Sequence, residues 1–249
     1  MQPKIALSIT DRESNAQLKN LGVDFLELRV DLFKGVIASG PRLKPTPECF
    51  CRGHSGVNFS DEAILYARRQ LQNRRKLRVP LILTVRNQKQ EGARRAFPDA
   101  KKWALMQALM PLAQWVDIEL SSPVCAKVLG LARQQRKKTI LSVHDFQSMP
   151  GNAKLEQILR KAMSLRPDVV KIAAKANAVE DLLRLVEFTR KHRRQPLVTM
   201  CLGPWGSLSR LILPACGSRW VYTFLSQPTA SGQLDLKTLQ HHLRVNHPR

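Results

Sequence analysis

Eight short β-rich runs alternate with amphipathic helical stretches along a chain of 249 residues. That order predicts an α/β protein, a (β/α)8 TIM barrel filling one domain over residues 1–249. Three observations carry the prediction. The runs recur at even spacing. Within them an apolar set alternates with a second set that holds ionisable groups. No Gly-x-Gly-x-x-Gly follows the first run, which makes a doubly wound dinucleotide-binding sheet the weaker reading.

The first run is 4–10. The second, 24–30, sets Leu26, Leu28 and Val30 on one side and Glu27 and Arg29, continued by Asp31, on the other. The irregular stretch 32–60 that follows belongs to the end where barrels keep their active sites. A helical pattern covers 61–77. The third run, 80–86, opposes Leu81, Leu83 and Val85 to Ile82, Thr84 and Arg86, and helix 99–114 follows. The fourth, 115–120, opposes Val116, Ile118 and Leu120 to Asp117 and Glu119, before helix 123–136. The fifth, 138–144, opposes Leu141 and Val143 to Ile140, Ser142 and His144, before helix 154–165. The sixth, 168–173, opposes Val170 and Ile172 to Val169, Lys171 and Ala173, before helix 179–192. The seventh, 196–202, enters a glycine-rich turn, Gly203-Pro-Trp-Gly206-Ser-Leu-Ser-Arg210, and the eighth, 219–225, ends the series.

A parallel sheet wrapped by helices is buried on both faces. The apolar set must then meet the helices, and the other set must face the barrel axis. That interior carries Glu27, Arg29, Arg86, Glu119, His144 and Lys171. On an open antiparallel sheet such a phase would simply face water. Inside a barrel an unpartnered charge costs several kcal/mol, so the pattern marks a site.

Lys171 lies in mid-strand among Val169, Val170, Ile172 and Ala173. Snorkelling to the surface is the plain alternative, but from that position the surface is distant. Arg29 and Arg86 are expected to be its cationic neighbours and to lower its pKa. A lysine of that kind condenses with a ketone or aldehyde to give a Schiff base. Of the six histidines, His144 ends a strand on the inward phase, and it is the candidate proton-transfer group. The pair describes an imine enzyme acting on an anionic carbonyl compound. Dehydration and carbon–carbon cleavage both remain open on these residues. The glycine-rich turns at 203–206, 217–218 and 231–233 are weak signals of an anion site.

These segments together resemble the type I 3-dehydroquinate dehydratase family, the Schiff-base dehydratases of the shikimate pathway. The resemblance rests on Glu27-Leu-Arg29-Val-Asp31, Thr84-Val-Arg86, Glu91-Gly92, Asp117-Ile-Glu119, Ser142-Val-His144-Asp-Phe146, Val170-Lys171-Ile172-Ala173, Gly203-x-x-Gly206-x-x-Ser209-Arg210 and Gly232-Gln233, in the family's order. It implies that Lys171 forms an imine with the C3 ketone of 3-dehydroquinate, on the way to 3-dehydroshikimate. It implies that His144 takes the C2 proton and helps expel the C1 hydroxyl as water, and that Glu91 is the glutamate beside that histidine. Substrate-holding roles fall on Glu27, Arg29, Arg86, Arg210, Thr229 and Gln233, with Arg210 meeting the carboxylate. No metal or organic cofactor is implied, and a homodimer is. The chain departs from the family pattern at Glu91-Gly92-Ala93, where the family reads Glu-Gly-Gly, after a run at 87–90 one residue longer than usual. It departs again at Thr229-Ala-Ser231-Gly-Gln233, where the family has serine, alanine, proline, glycine, glutamine.

Composition bounds the rest. Hydrophobic residues are 43% and charged residues 24%, which excludes a disordered chain. No apolar run approaches the ~20 residues of a membrane-spanning helix. The start, Met1-Gln-Pro-Lys-Ile-Ala-Leu-Ser, lacks a secretory pattern and reads as cytoplasmic. Five scattered cysteines fit a reducing compartment, and Cys49-x-Cys51 with His54 lacks the spacing of a zinc site. Lys and Arg number 41 against 19 Asp and Glu, a net charge of +22. Basic clusters at 68–78, 133–138 and 190–194 fall near helix C-termini, which puts them at the barrel's N-terminal end, away from the site. Favourable helix dipoles on a solvated face are the plain reading. A surface for a polyanion such as nucleic acid is the alternative, although no aromatics interleave the clusters.

Overall fold

The computed structural model describes residues 3–37, 61–93 and 96–246. Cys49, Cys51, His54 and most of 32–60 lie outside the described residues, as does His247. The elements run β1 Lys4–Ile9, α1 Asn15–Leu18, β2 Phe25–Arg29, α2 Lys34–Ile37, α3 Asp61–Arg75, β3 Leu81–Thr84, α4 Asp99–Leu109, β4 Trp115–Glu119 and α5 Cys125–Gln134. They continue as β5 Lys138–Asp145, α6 Asn152–Ser164, β6 Val169–Lys175, α7 Val179–Lys191, β7 Leu197–Leu202, α8 Gly206–Cys216, β8 Trp220–Phe224 and α9 Leu236–Asn246. Among the described residues no helix is long and apolar enough to cross a membrane.

The strands form one parallel sheet in the order β7-β6-β5-β4-β3-β2-β1-β8, a nearly closed (β/α)8 barrel. At the seam between β7 and β8, Arg219 N donates to Leu197 O at 2.9 Å. The Ser218 hydroxyl bridges the same seam by accepting from Thr199 N at 3.0 Å.

Several strands are shorter than the sequence pattern. β3 and β7 begin after Pro80 and Pro196, which have no N–H for the ladder; their carbonyls still accept from Leu26 N and Val170 N at 3.0 and 2.8 Å. Asp24 and Asp168 also fall outside the strands. Their carboxylates instead accept the backbone N–H of Ile5 and Thr139, each at 2.8 Å. The expected helix 99–114 ends at Leu109 and passes into a 3-10 turn, Met110–Leu112, around Pro111. The helix after β1 is a single turn, closed by a reciprocal Ser14–Gln17 capping box.

Packing follows the alternation. Leu26, Leu28, Leu83, Ile118, Leu141 and Val170 are buried between the barrel and the helices. Inside the barrel, Phe25, Trp115 and Trp220 pack ring on ring at the N-terminal end, with centroids 5.8, 5.1 and 5.7 Å apart. Ile82, Ile140 and Val169 belong to the same interior cluster. Burying one such side chain stabilises by ~1.5–3 kcal/mol. Farther along the strands the same inward phase turns polar, at Glu27, Thr84, Asp117, Ser142 and Lys171, then at Arg29, Arg86, Glu119 and His144. The aromatic plug is therefore the floor of a polar chamber.

Three connections from helix to strand hold an arginine in the left-handed region: Arg78 at φ 58°, Arg136 at φ 52° and Arg166 at φ 52°. This is the position past a helix C-terminus that glycine usually takes. A residue with a Cβ gives up ~1–2 kcal/mol to stand there.

Candidate active site

β6 brings Lys171 to the middle of the chamber, where the residue is 4% exposed. Its Nζ donates to Asp117 Oδ2 at 3.0 Å, lies 3.6 Å from Glu27 Oε1, and sits 4.2 Å from the centroid of the Tyr222 ring. The expectation that Lys171 meets cations is therefore corrected: its ionic partners are carboxylates. Arg29 is engaged by Asp31, through Nε at 3.1 Å and Nη2 at 2.8 Å. Arg86 is engaged by Asp117 at 2.7 Å and Glu119 at 3.2 Å. The reason is the cost of burial, which permits a charge only beside its opposite.

Burial alone would raise the Asp117 carboxyl, but Arg86, Lys171 and the Ser142 hydroxyl, 2.6 Å away, hold it well below the usual carboxylate range. Burial also works against ionised Glu27, yet Lys171, Arg29 and the Ser8 hydroxyl keep its pKa lowered. Arg86 is desolvated too, but Asp117 and Glu119 raise it above the ordinary guanidinium value.

His144 stands near the end of β5, its ring stacked on Phe146 at 5.7 Å with 7° between planes. Nδ1 lies 2.7 Å from Glu119 Oε2, and the His144 backbone N–H donates to Glu119 Oε1 at 2.9 Å. Burial pushes the imidazole below its ordinary value; Glu119 opposes that, and Arg86 and Lys171 reinforce it. The ring is thus neutral near pH 7. Its Nδ1–H is given to Glu119, which leaves Nε2 as the basic nitrogen.

Glu91 was expected beside this histidine. The carboxylate hydrogen-bonded to His144 is instead Glu119. β4 neighbours β5, and Glu119 pairs in register with Ser142, one inward step before His144. Glu91 ends a 3-10 turn, Lys89–Glu91, in the connection after Arg86. There its Oε2 accepts from Lys102 Nζ at 2.6 Å and from Asn87 N at 3.2 Å. Lys102 is fully buried, also donates to Ser122 Oγ at 2.9 Å, and needs a counter-charge. Burial lowers its pKa, with Glu91 opposing.

Arg210 projects from α8 and is 2% exposed. Nη1 donates to the carbonyls of Gly206 and Gly232 at 2.7 Å each and of Cys201 at 3.1 Å, and Nε to that of Tyr222 at 3.3 Å. Nη2 is buried and has no hydrogen-bond partner among the described residues. Burial pulls the Arg210 pKa down to about 10, which still leaves a cation at neutral pH. The two glycines are required by closeness: a Cβ on Gly206 would lie 2.7 Å from Gly232 Cα, and Gly232 has φ +72°. The glycine turn, read from sequence as a weak anion signal, therefore turns carbonyls on the guanidinium. Gln233 Oε1 accepts from Thr229 N at 2.7 Å, Thr229 Oγ1 at 3.2 Å and Ala230 N at 3.1 Å, folding that loop over the chamber.

One cavity is lined by Lys171, His144, Glu91, Glu27, Arg29, Arg86, Arg210, Thr229 and Gln233, all nine sequence candidates. The sequence reading gave no role to Asp117, Glu119 or Lys102. Asp117 and Glu119 were visible on the inward phase of the fourth run, and Glu119 needed only the adjacency of strands four and five. Lys102 sits in a helical pattern and carried no such signal. The cavity holds an amine, a neutral imidazole and a guanidinium without a counter-ion. That set condenses with a carbonyl, moves a proton and holds an anion.

The family model for type I 3-dehydroquinase matches residues 8–249. The chain is 30% identical over 243 residues to the 3-dehydroquinate dehydratase of Methanocella arvoryzae, covering 98% of this chain and 96% of that protein. It is 30% identical over 238 residues to that of a Hydrogenobaculum species, covering 95% of each. The crystal structure of the 3-dehydroquinate dehydratase from Aquifex aeolicus superimposes with a TM-score of 0.76 at 27% identity, over 99% of both chains. With its barrel, its chamber and a match over nearly its whole length, the chain belongs to the type I 3-dehydroquinase family.

Proposed function

We propose that the chain is a hydro-lyase that dehydrates 3-dehydroquinate to 3-dehydroshikimate through an imine on Lys171. The observation that carries this reading is one cavity lined by Lys171, by His144 held by Glu119, and by Arg210. The Lys171 amine, once it has given up a proton, adds to the C3 carbonyl, and the carbinolamine loses its hydroxyl as water. The resulting iminium draws electrons from the adjacent C2–H bond. His144 Nε2 takes the C2 proton, and the bonding pair becomes the enamine double bond. The enamine expels the C1 hydroxyl, which leaves as water with the proton that His144 carried. A second water hydrolyses the imine and frees the lysine, so the net change is the loss of one water.

Glu119 fixes the tautomer that makes Nε2 the base. Arg210 meets the substrate carboxylate through Nη2, and Glu27, Arg29, Arg86, Thr229 and Gln233 surround the ring hydroxyls. Dehydration is favoured over cleavage of a sugar phosphate because the glycine turn offers its carbonyls to Arg210 rather than N–H groups to a phosphate.

Borohydride reduction during incubation with 3-dehydroquinate, followed by peptide mass spectrometry, tests the reading. The reduced adduct is expected on Lys171. An adduct on another lysine, such as Lys175, or none at all, overturns it.

A further inference from the structure

Among the described residues, the positive charge does not gather around the cavity. On that side the described parts of the connections 10–14, 30–33, 85–93, 145–151 and 225–235 hold six carboxylates against three cations, Arg12, Arg86 and Lys89. At the opposite end, the connections 75–80, 133–138, 165–168, 190–196 and 217–219 hold thirteen lysines and arginines and one carboxylate, Asp168. Asp168 is already committed to the N–H and hydroxyl of Thr139. Among the described residues, a net of twelve positive charges therefore sits at the end that the proposed substrate does not use.

Nine of those thirteen cations are arginine, whose planar fork matches phosphate oxygens. Among the described residues, Arg75, Lys76, Arg78, Arg136, Arg193 and Arg194 make no ion pair with any carboxylate. The clusters approach one another: Lys137 is lowered by burial and, next, by the charge of Arg75 from another connection. A depression of about 730 Å³ runs along Glu187 and Arg190–Gln195 at the same end, where Glu156 pairs with Lys191 and His192 and leaves Arg193 and Arg194 free of carboxylates among the described residues.

A second observation is independent of charge. Arg78, Arg136 and Arg166 all stand in the left-handed region. A helix dipole accounts for basic residues in the last turn, but not for an arginine at the position beyond it, where glycine fits without strain. Asn20, at φ 60°, is the one other non-glycine residue there among the described residues, and asparagine enters that region readily; arginine does not, so its threefold repetition at one end points to a use for that side chain.

We propose that the N-terminal end of the barrel is a docking surface for the phosphate backbone of double-stranded nucleic acid, bound without regard to sequence. A duplex fits better than a single strand because these connections contain no Phe, Tyr or Trp on which bases would stack. It fits better than a lipid surface because the large apolar residues exposed at that end are Leu165, at 36%, and Val245 in the last turn of α9, at 65%, two aliphatic side chains and too little to anchor in a bilayer.

Fluorescence anisotropy of a labelled 20-base-pair duplex of arbitrary sequence, titrated with the full chain between about 50 and 200 mM salt, tests this. Binding is expected, with affinity falling about 10³-fold or more over that range. In the triple variant R78G/R136G/R166G the slope of log affinity against log salt should become shallower by roughly 2 to 3, from about 0.9 per lost phosphate contact. Glycine suits those backbone positions, so melting temperature should hold or rise while turnover is unchanged. R193E/R194E provides a second reading of the same loss should the triple variant fold poorly. No binding at the lowest salt, a slope untouched in a folded variant, displacement of the duplex by 3-dehydroquinate, or equal binding to vesicles of anionic lipid would each overturn the proposal.

Discussion

The two ends of the barrel treat the same side chain in opposite ways. In the chamber, Arg29 is clasped by Asp31, and Arg86 by Asp117 and Glu119. At the other end, Arg75, Arg136, Arg193 and Arg194 stand in water with no carboxylate among the described residues. Solvent makes the difference. Removing one partner of a buried pair costs ~3–5 kcal/mol, whereas an exposed pair contributes ~0–1 kcal/mol. Inside, therefore, each cation demands a counter-charge, and a cation lacking one stands out. Arg210 is that exception in the cavity. Net charge consequently describes the surface, and the departures from pairing describe the site.

Six variants break or sharpen this contrast. The largest effect belongs to Lys171→Ala, which should abolish the trapped adduct and lower turnover by on the order of 10⁵-fold or more, as loss of a covalent nucleophile does elsewhere. His144→Ala should slow proton abstraction by ~10²–10⁴-fold while a reduced adduct still forms on Lys171, read by mass spectrometry. The wild-type pH profile sharpens that assignment. His144 acts as a base only when neutral, and its pKa is lowered, so kcat/KM should hold at pH values below the ordinary histidine value of 6.5 and fall only as pH drops through the depressed value. A limb centred at or above 6.5 would contradict it.

Glu119→Gln and Glu91→Gln separate the two glutamates. The first should lower kcat by tenfold or more and cost less stability than the second, because Arg86 keeps Asp117 as a counter-charge. The second should lower the melting temperature, because Lys102 is left buried without its counter-charge, and should affect kcat less. The reverse order would return Glu91 to the place beside His144. Arg210→Lys should raise KM for 3-dehydroquinate by about ten- to a hundredfold, the worth of a charge-assisted pair, with kcat less affected. Smallest of all, R193E/R194E at the opposite end should leave kcat and KM unchanged and shift stability by no more than ~0.5 kcal/mol, measured by denaturant titration.

The period-two alternation made the barrel legible, because a strand covered by helices has no other way to carry Glu27 or Lys171. It also identified every candidate on the strands by phase alone. What it lacked was reach. Arg29 and Lys171 share the interior, yet Asp31 takes the first and Asp117 the second, and such pairings depend on side-chain length and register across three strands. Glu91 was assigned by motif order, and motif order carries no sign of the buried Lys102 on the following helix that takes its carboxylate. Strand ends shifted wherever a proline or an aspartate could satisfy the neighbouring strand without joining the ladder, as at Pro80 and Asp168.

The floor of Phe25, Trp115 and Trp220 has a consequence for traffic. Rings packed at that spacing fill the barrel axis at that level. Among the described residues that floor closes the N-terminal end of the chamber, which leaves the C-terminal end for traffic. In the proposed reaction, released water, the water that hydrolyses the imine and the product pass beside the loop that Gln233 fastens through Thr229 and Ala230. Arrival and departure then share a gate, so a change that loosens this fastening should quicken both together, and a slow step in product escape should be felt equally by the incoming substrate.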